Sequence, residues 1–405
     1  MESSKQYIPE LRFPEYSGNW QEKKLGDIAD KITQKNKSKK QLPIFTNSAA
    51  DGVINQEDYF DREIITRDNS SNYQIIELDD FVYNPRISTI APVGPISRNK
   101  IGEGIMSPLY TIFRFKEGDF SYLEFLFKTT VWHSYLKAKA NFGARFDRMN
   151  ISNEVLFSMP LAFPTLPEQR KIAACLSSLD SLIKSVGDKI ELLKQHKKGL
   201  MQKLFPKNNC AVPELRFPEF SGDWEVKRLG NCFDERIEKK CINLPLLSLT
   251  ENGIIPQEET NRKDNSNADK SKYLRVCIGD IAYNTMRMWQ GRCVWVDTEG
   301  IVSPAYTVCK PKKNIFSLFF YYMFKTRKMI NVFHQHSQGL VNDTLNLKYE
   351  KFSAIRVSVP TLAEQQKIAA CLSSIDSEIE TNEQKLTKLQ EHKKGLLQKM
   401  FVKIR

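Results

Sequence analysis

The chain has 405 residues, with 60 Lys and Arg against 48 Asp and Glu, so its formal net charge is +12. Hydrophobic residues make up 41% and charged residues 27%, which excludes a disordered, collagenous or low-complexity chain. No apolar run approaches the roughly 20 residues of a membrane helix, and residues 1–9 lack the apolar core of a signal peptide. We therefore expect a cytoplasmic protein, whose positive charge favours a polyanionic partner such as nucleic acid.

The sequence contains two copies of one unit. PELRFPEYSGNW at residues 9–20 recurs as PELRFPEFSGDW at 213–224, with 10 of 12 positions identical. Residues 164–180 recur at 360–376 with 14 of 17 positions identical, whereas the parts between these anchors differ in sequence and length. A period near 200 residues indicates duplicated domains, because solenoid repeats are far shorter. We expect the diverged parts to read two different things and the fixed segments to share one task.

The diverged parts predict mixed α/β domains. β-rich stretches lie between Gly, Pro and Asn residues, as strands do, and each copy then has one long helical stretch before a glycine loop. The paired elements are strands at 81–83, 110–115, 293–296 and 306–309, helices at 121–140 and 316–335, glycine loops at Gly143 and Gly339, and last apolar stretches at 156–163 and 352–359. Trp20 and Trp224 lie in the near-identical anchors, which favours packing over base stacking.

The fixed segments predict two long helices. Thr165 with Glu168, and Thr361 with Glu364, have the spacing of a capping box, so both helices should begin there. Apolar residues then alternate spacings of four and three, which is the seam of a coiled coil. Its members are Leu176, Leu179, Ile183, Val186, Ile190 and Leu193 in the first copy, and Leu372, Ile375, Ile379, Leu386 and Leu389 in the second.

Polar residues interrupt this seam at Lys197, Lys393 and Asn382, as residues that set the register of a coiled coil do. Tandem units with a pseudo-twofold axis would pair the helices antiparallel. From Leu176 to Leu204 the first helix would then span about 42 Å at 1.5 Å per residue, enough to separate two reading domains by about one turn of DNA. The alternative is that the helices are merely amphipathic and pack on the domains.

These features closely resemble the specificity subunit of a type I restriction-modification enzyme. The resemblance rests on two diverged domains, each followed by a P-x-L-x-E-Q-x-K-I-A segment, at 164–173 and 360–369, and by a heptad helix ending in HKKGL, at 196–200 and 392–396. It implies a target-recognition domain at 1–163, a helical spacer at 164–209, a second recognition domain at 210–359 and a second helical spacer at 360–405. The implied fold class is α+β, with the two helices forming an antiparallel coiled coil.

The family's subunit reads a split DNA target, one half-site per domain, and performs no chemistry. The resemblance implies double-stranded DNA and two methyltransferase subunits as partners, with restriction or translocase subunits where the complex cleaves DNA. S-adenosylmethionine, ATP and Mg²⁺ are then expected on partner subunits, and no cofactor on this chain. Adenine methylation needs an N/D-P-P-Y/F loop, whose nearest match here is Asn84-Pro85-Arg86. A GxxxxGK[ST] phosphate loop and a GxGxxG loop are also missing, so we predict no catalytic residues.

Metal sites are not expected either. The eight Cys include no CxxC pair, and His334 and His336 have no second ligand pair at zinc-site spacing. Asp79 and Asp80 are interpreted as solvated loop carboxylates.

Two loops in each copy are candidates for reading DNA. Arg and Lys match guanine edges, Asn and Gln match adenine edges, and any of them can instead hold phosphates. The first loop follows a Tyr-Asn pair in both copies and differs in length; the second is the glycine loop. The first-loop candidates are Asn84, Arg86, Arg98, Lys100, Asn284, Arg287, Gln290 and Arg292, and the glycine-loop candidates are Asn141, Arg145, Arg148, Gln338 and Asn342.

Two other functions remain open from the sequence. A coiled-coil scaffold with two protein-binding heads would bind DNA weakly and without sequence preference, whereas a specificity subunit would bind a split motif with a steep salt dependence. A stand-alone nuclease or methyltransferase would need the missing loops.

Overall fold

The computed structural model describes residues 6–38, 40–59, 71–140, 147–207, 210–250, 253–260, 268–339, 341 and 344–404. The chain divides into two units, residues 1–186 with 385–405 (unit 1) and residues 187–384 (unit 2). Each unit thus combines one diverged domain, the first half of the helix that follows it and the second half of the other copy's helix. The predicted domain boundaries at 163, 209 and 359 lie near the ends of the long helices, whereas the two units divide within these helices. The predicted boundaries therefore stay a prediction.

Unit 1 is built from short strands and short helices. Its elements before the long helix are β1 (Gln21–Lys24), α1 (Leu25–Ile28), β2 (Ala29–Ile32), β3 (Ile44–Ser48), β4 (Gly52–Asn55), α2 (Gln56–Tyr59), β5 (Gln74–Ile76), β6 (Phe81–Tyr83), β7 (Ile96–Arg98), β8 (Gly104–Met106), β9 (Thr111–Phe115), α3 (Phe120–Lys128), α4 (His133–Lys139), α5 (Asn153–Phe157) and β10 (Pro160–Phe163), and the long helix is α6 (Leu166–Lys203).

Two four-stranded sheets carry unit 1, with strand orders β2-β9-β6-β7 and β4-β3-β8-β5. All their pairings are antiparallel except β3 with β8. Successive side chains of a strand point to opposite faces. Phe81 and Tyr83 therefore enter the large aromatic core that also contains α3, whereas Val82 enters a smaller core with Phe45. Strands β1 and β10 form a separate antiparallel pair.

Unit 2 repeats this architecture with different residues. Its elements are β11 (Glu225–Arg228), α7 (Leu229–Cys232), β12 (Phe233–Glu235), β13 (Leu247–Thr250), β14 (Gly253–Pro256), β15 (Leu274–Val276), β16 (Ile281–Asn284), β17 (Cys293–Trp295), β18 (Gly300–Val302), β19 (Tyr306–Pro311), α8 (Ser317–Phe324), α9 (Arg327–His336), α10 (Tyr349–Ala354), β20 (Arg356–Val359) and the long helix α11 (Leu362–Lys399), with 3-10 turns at Gln257–Glu259 and Met288–Gln290.

The sheet β12-β19-β16-β17 of unit 2 has the strand order of β2-β9-β6-β7 in unit 1. Strands β13 with β14 and β15 with β18 are paired, and a parallel bridge joins Leu246 to Ile301 where β3 pairs with β8 in the other copy. The fold class predicted from the duplication is thus confirmed for both copies, although few of the residues in the sheets are identical.

The prediction of a single helix at 121–140 is wrong, because the structure has two helices there, α3 and α4. Thr129 ends α3: its N–H and its Oγ1 both donate to the Leu126 carbonyl, at 3.1 and 2.6 Å. The helix predicted at 316–335 is likewise two helices, because Thr326 caps α9 by accepting from the Met329 N–H at 3.3 Å. A threonine at an equivalent Lys-Thr pair makes the break in both copies.

The long helices α6 and α11 each have 38 residues and begin directly after Thr165 and Thr361, as predicted. Within unit 2 their halves run antiparallel: Lys197 pairs with Asp376 at 2.5 Å, and Lys189 with Glu378 at 2.8 Å. In unit 1 the equivalent pair joins Lys393 to Asp180. The predicted seam residues are buried or half-buried along both helices, and the positions between them are mostly exposed.

Each copy ties its helix to its domain through the same buried carboxylate. Glu168, 1% exposed, accepts from Nε and Nη2 of Arg12, both at 2.8 Å, and from Nε1 of Trp20 at 3.2 Å. Glu364 accepts from Arg216 and Trp224 at the same distances. The predicted capping box is therefore only half correct: the Glu364 N–H donates to Thr361 Oγ1 at 3.4 Å, but the glutamate side chain binds arginine, a stronger charged partner than its own backbone.

The neighbouring glutamine adds a second tie. Gln169 accepts from the Asp119 N–H ahead of α3 and donates to the Pro164 carbonyl, both at 2.9 Å. Gln365 does the same with the Phe316 N–H and the Pro360 carbonyl. The E-Q pair of the repeated segment thus has a structural explanation in both copies. No helix of the described residues is long and apolar enough to cross a membrane.

Candidate nucleic-acid interface

The loop that follows β6 in unit 1 is shaped by Asn84. Its side-chain amide donates to the Asn47 carbonyl at 2.9 Å, and its Oδ1 accepts from the Arg86 N–H at 3.0 Å. Asn84 is half-buried and therefore holds the loop, while Arg86 is exposed. Asn84 in this arrangement positions Arg86 and already uses one amide N–H and one lone pair of Oδ1 within unit 1.

The two predicted reading loops of unit 1 meet at Arg86 and Arg148. These residues form an antiparallel β-bridge, flanked by hydrogen bonds from Ile87 N–H to the Asp147 carbonyl and from Met149 N–H to the Pro85 carbonyl, both 3.0 Å. Arg148 is half-buried, and its nearest carboxylate is Asp147 at 3.8 Å. Two guanidinium groups from segments over 60 residues apart in sequence are thus brought to one edge of unit 1.

Arg98 and Lys100 have other partners. Arg98 on β7 binds Asp79 at 2.7 Å and lies over the Phe120 ring, and its side chain is only 17% exposed. Lys100 pairs with Glu124 at 2.8 Å. Both cations have a carboxylate partner in unit 1, and Arg98 is also packed against an aromatic ring, whereas the Lys100 side chain is 61% exposed. Asn141, Arg145 and Asn342 lie outside the described residues.

In unit 2 the corresponding loop forms a groove. Asn284 ends β16 and its Oδ1 accepts from the Met286 N–H at 2.9 Å. The chain then makes the 3-10 turn and reverses at Gly291, whose φ of 74° lies in the left-handed region. A Cβ at Gly291 would approach Ile330 Cδ1 to 3.1 Å, so glycine allows the turn to rest against α9.

This turn places four of the predicted residues around one open cavity of about 620 Å³. Asn284, Arg287, Gln290 and Arg292 all line it, and the last three are exposed. Lys325 adds a third cation, and no Asp or Glu is among its described lining residues. The groove therefore combines positive charge with the Arg and Gln groups that pair with base edges.

The sequence did not identify two further lining residues, Thr250 at the end of β13 and Lys325 after α8. Neither stands near the loop in sequence, so only the folding of the sheet brings them there. Gln338 from the glycine loop is exposed, but its backbone is bridged to Asn346 by two hydrogen bonds of 2.9 Å and it does not line this groove.

Asp80 corrects the interpretation of the Asp79-Asp80 pair as solvated. Its side chain is fully buried and binds Arg114 at 2.6 Å. In unit 2, Asp280 binds Arg236 at 2.7 Å. Both are ion pairs inside the domain, and the described residues contain no group of three or more His, Cys, Asp or Glu placed to hold a metal.

The chain matches the model of the type I restriction modification DNA specificity domain family twice, over residues 17–195 and 221–391. Two specificity subunits of Methanocaldococcus jannaschii are similar to it. The putative type I restriction enzyme MjaX subunit is 27% identical over 271 residues, 62% of this chain and 60% of that protein. The MjaVIII subunit is 25% identical over 272 residues, 61% of this chain and 62% of that protein. The matches thus span about three fifths of these relatives' lengths.

Solved structures share the fold at low identity. The S subunit of the type I restriction-modification system from M. genitalium has a TM-score of 0.59 at 14% identity, covering 98% of this chain and 100% of that chain. The HsdS subunit from Thermoanaerobacter tengcongensis has a TM-score of 0.50 at 14% identity, covering 94% and 96%. The predicted resemblance and the prediction of a non-catalytic specificity component are confirmed by the family match. The chain belongs to the type I restriction-modification DNA specificity domain family and contains two copies of the domain.

Proposed function

We propose that the chain is the sequence-reading subunit of a type I restriction-modification complex, with one half of a split DNA target bound by each unit. The observation that carries this proposal is the groove of unit 2, where Arg287, Gln290 and Arg292 line one cavity without a carboxylate among its described lining residues. Arg and Gln are the side chains that read guanine and adenine in the major groove. A protein-binding head would have no need of this combination.

In unit 1 the corresponding surface is the edge formed by Arg86 and Arg148. Arg86 has no carboxylate within 4 Å in the described part of unit 1, and Arg148 has only the contact with Asp147 at 3.8 Å. Both cations therefore suit phosphate contacts, base contacts or both. The two units differ in these residues although they share a strand order, so we expect the two half-sites to differ in sequence. Arg98 and Lys100 are not part of the proposed DNA-binding surface, because carboxylates of unit 1 already bind them.

The paired long helices would set the gap between the half-sites. Each helix has 38 residues, about 57 Å at 1.5 Å per residue. An antiparallel pair with a pseudo-twofold axis would place one recognition domain near each end. The buried ion pairs of Glu168 and Glu364 would fix each domain to its helix. The length of the helices would then act as a ruler that determines the gap between the half-sites.

The chemistry would come from partners. Two methyltransferase subunits would dock on the helical regions and methylate adenine with S-adenosylmethionine, and restriction subunits would add ATP- and Mg²⁺-dependent cleavage. The complex would act in the cytoplasm, where the DNA is. The metal, cofactor and nucleotide sites would then lie outside this chain.

Methylome sequencing of cells with and without this gene tests the proposal. We expect a split, adenine-methylated motif that disappears with the gene. Replacing residues 1–163 by another recognition domain should change one half-site and leave the other intact. An unchanged methylome after deletion, together with weak DNA binding that shows no sequence preference, would instead support the scaffold with protein-binding heads.

A further inference from the structure

A second, larger groove of about 830 Å³ lies elsewhere in unit 2. Its walls are the end of α6 with the residues that follow, the first turns of α9, and strands β11 and β20. Its floor is apolar and rich in methionine, with Met201, Met323 and Met329 beside Phe205 and Val357. Flexible methionine side chains are typical of surfaces that accept a partner's apolar residues.

The rim of this groove is strongly basic. Eight Lys or Arg residues line it, and no Asp or Glu is among its described lining residues. Some of them have carboxylate partners outside the groove, such as Lys194 with Glu383 and Lys207 with Glu214. Lys198, Arg327 and Arg356 are exposed and have no carboxylate within 4 Å in the described part of the chain. These three exposed cations beside an apolar floor fit an anionic, amphipathic ligand.

Lys328 shows how this charge is held at the edge of the floor. Its Nζ donates to the carbonyls of Pro206 and Lys207 at 3.1 and 3.3 Å. Burial lowers the pKa of this ammonium group. A nearby carboxylate on a ligand would therefore improve the environment of Lys328.

Unit 1 keeps only half of this positive rim. The Lys-Thr pair after α3 and α8 aligns the copies here, and strands β10 and β20 align from their first residues. Four of the eight rim cations then have uncharged counterparts: Lys194 with Gln390, Arg327 with Thr130, Lys328 with Val131, and Arg356 with Pro160. The other four have lysine counterparts in unit 1, at Lys128, Lys393, Lys394 and Lys403. After α11, Val402 and Ile404 pack against the unit 1 core, whereas the segment after α6 contributes Pro206 and Lys207 to the open groove.

We propose that the unit 2 groove binds an acidic amphipathic helix of a partner protein, and that this partner binds once per chain. Two of its walls are helices, so a third helix can pack its apolar face on the methionines and present Asp and Glu to the rim. A partner that bound both copies alike would need the cations in both. The absence of four of the eight rim cations from unit 1 therefore points to a single-copy partner.

An apolar floor argues against duplex DNA as the occupant, because DNA presents phosphates and few apolar groups to a protein surface. The groove adjoins the DNA-reading cavity of unit 2, since Lys325 and Ile330 line both. A bound helix would thus lie beside the DNA without replacing it. The proposal concerns a different ligand from the proposed function and stands if the DNA assignment fails.

Selection of a phage-displayed library of 16-residue helical peptides on the full chain tests this inference. We expect enrichment of Leu, Ile or Met at helical spacing with flanking Asp and Glu. The enriched peptide should bind with a stoichiometry of one per chain by fluorescence anisotropy. R327T/K328V, which installs the unit 1 residues, should weaken it at least tenfold, and K198Q/R356Q should do so if the first variant folds poorly.

K137T/K139V is the charge-matched control, since it removes two exposed cations of α4 in unit 1, and it should leave peptide binding unchanged. Failure to enrich any acidic amphipathic sequence, two sites per chain, or equal binding by the groove variants would overturn the proposal. Displacement of the peptide by a 20-base-pair duplex of unrelated sequence would assign the groove to DNA and also overturn it.

Discussion

Arg12 and Glu168 form a two-point ion pair, with Nε and Nη2 each 2.8 Å from a carboxylate oxygen, although 156 residues separate them. Glu168 is 1% exposed, and the indole N–H of Trp20 also donates to its Oε1. The pair joins the opening segment of the recognition domain to the first turn of α6. Because Arg216 and Glu364 repeat it in unit 2, this contact explains why both ends of the repeat are so similar.

Removing this carboxylate should destabilise unit 1. In E168A the guanidinium of Arg12 loses its partner within a largely buried site, and we expect a loss of about 3–5 kcal/mol in the free energy of unfolding. Urea denaturation of the full chain measures it. E364A should lower the stability of unit 2 by a similar amount.

The double variant R12M/E168M separates charge from packing. Replacing both members of a buried ion pair by apolar residues is far less costly than removing one, so this variant should recover most of the stability lost in E168A. A double variant as unstable as E168A would show that the ion pair is not what holds the junction.

The helical ruler can be shortened by one heptad. Deleting residues 187–193 together with 383–389 keeps the seam in phase and removes about 10.5 Å, or about three base pairs of spacer. Methylome sequencing should show a shorter gap between two unchanged half-sites. An unchanged gap would contradict the ruler, and deletion of seven residues from α6 alone should abolish methylation because the seams no longer match.

Arg287 should contribute to one half-site only. R287A is expected to cost about 1–3 kcal/mol of binding free energy and to relax base preference at one position of the unit 2 half-site. Anisotropy titrations of the assembled complex with the methylated motif, and with each half-site scrambled in turn, measure this. K239A is the control, because Lys239 is an exposed cation of unit 2 that lines neither groove. This variant should leave base preference unchanged.

His133 should make unit 1 sensitive to acid. Burial lowers the pKa of His133 to about 4, with a smaller contribution from the positive charge of Lys137. The unfolded chain binds its proton near the usual 6.5, so stability is full above pH 6.5 and is lost as pH falls towards 4. Partial exposure reduces the effect to about 1 kcal/mol at pH 5.

H133I, which installs the residue of unit 2 (Ile330), tests this dependence. Melting temperatures at pH 7.5 and pH 5.0 should fall further for the natural chain than for H133I, by about 2–4 °C. Equal pH dependence of the two proteins would rule out His133 as the source.

Some of the candidate interface followed from sequence and some did not. Asn284, Arg287, Gln290 and Arg292 lie within nine residues, so a local loop could be recognised and the structure places all four around one cavity. The same reasoning predicts that Arg98 contacts DNA, yet Asp79, 19 residues away, binds it. Spacing along the chain does not reveal which cations a domain neutralises itself.

The repeat, the two long helices and the family were determined by the sequence alone, because identical anchors and heptad spacing are local patterns that need no knowledge of distant contacts. The tertiary structure decided what those patterns bind. It turned Glu168 from a helix cap into the partner of Arg12, made Asp80 a buried partner of Arg114, and joined Arg86 to Arg148. Each of these depends on segments brought together through space, and the charge left exposed on a surface is known only after such pairs have formed.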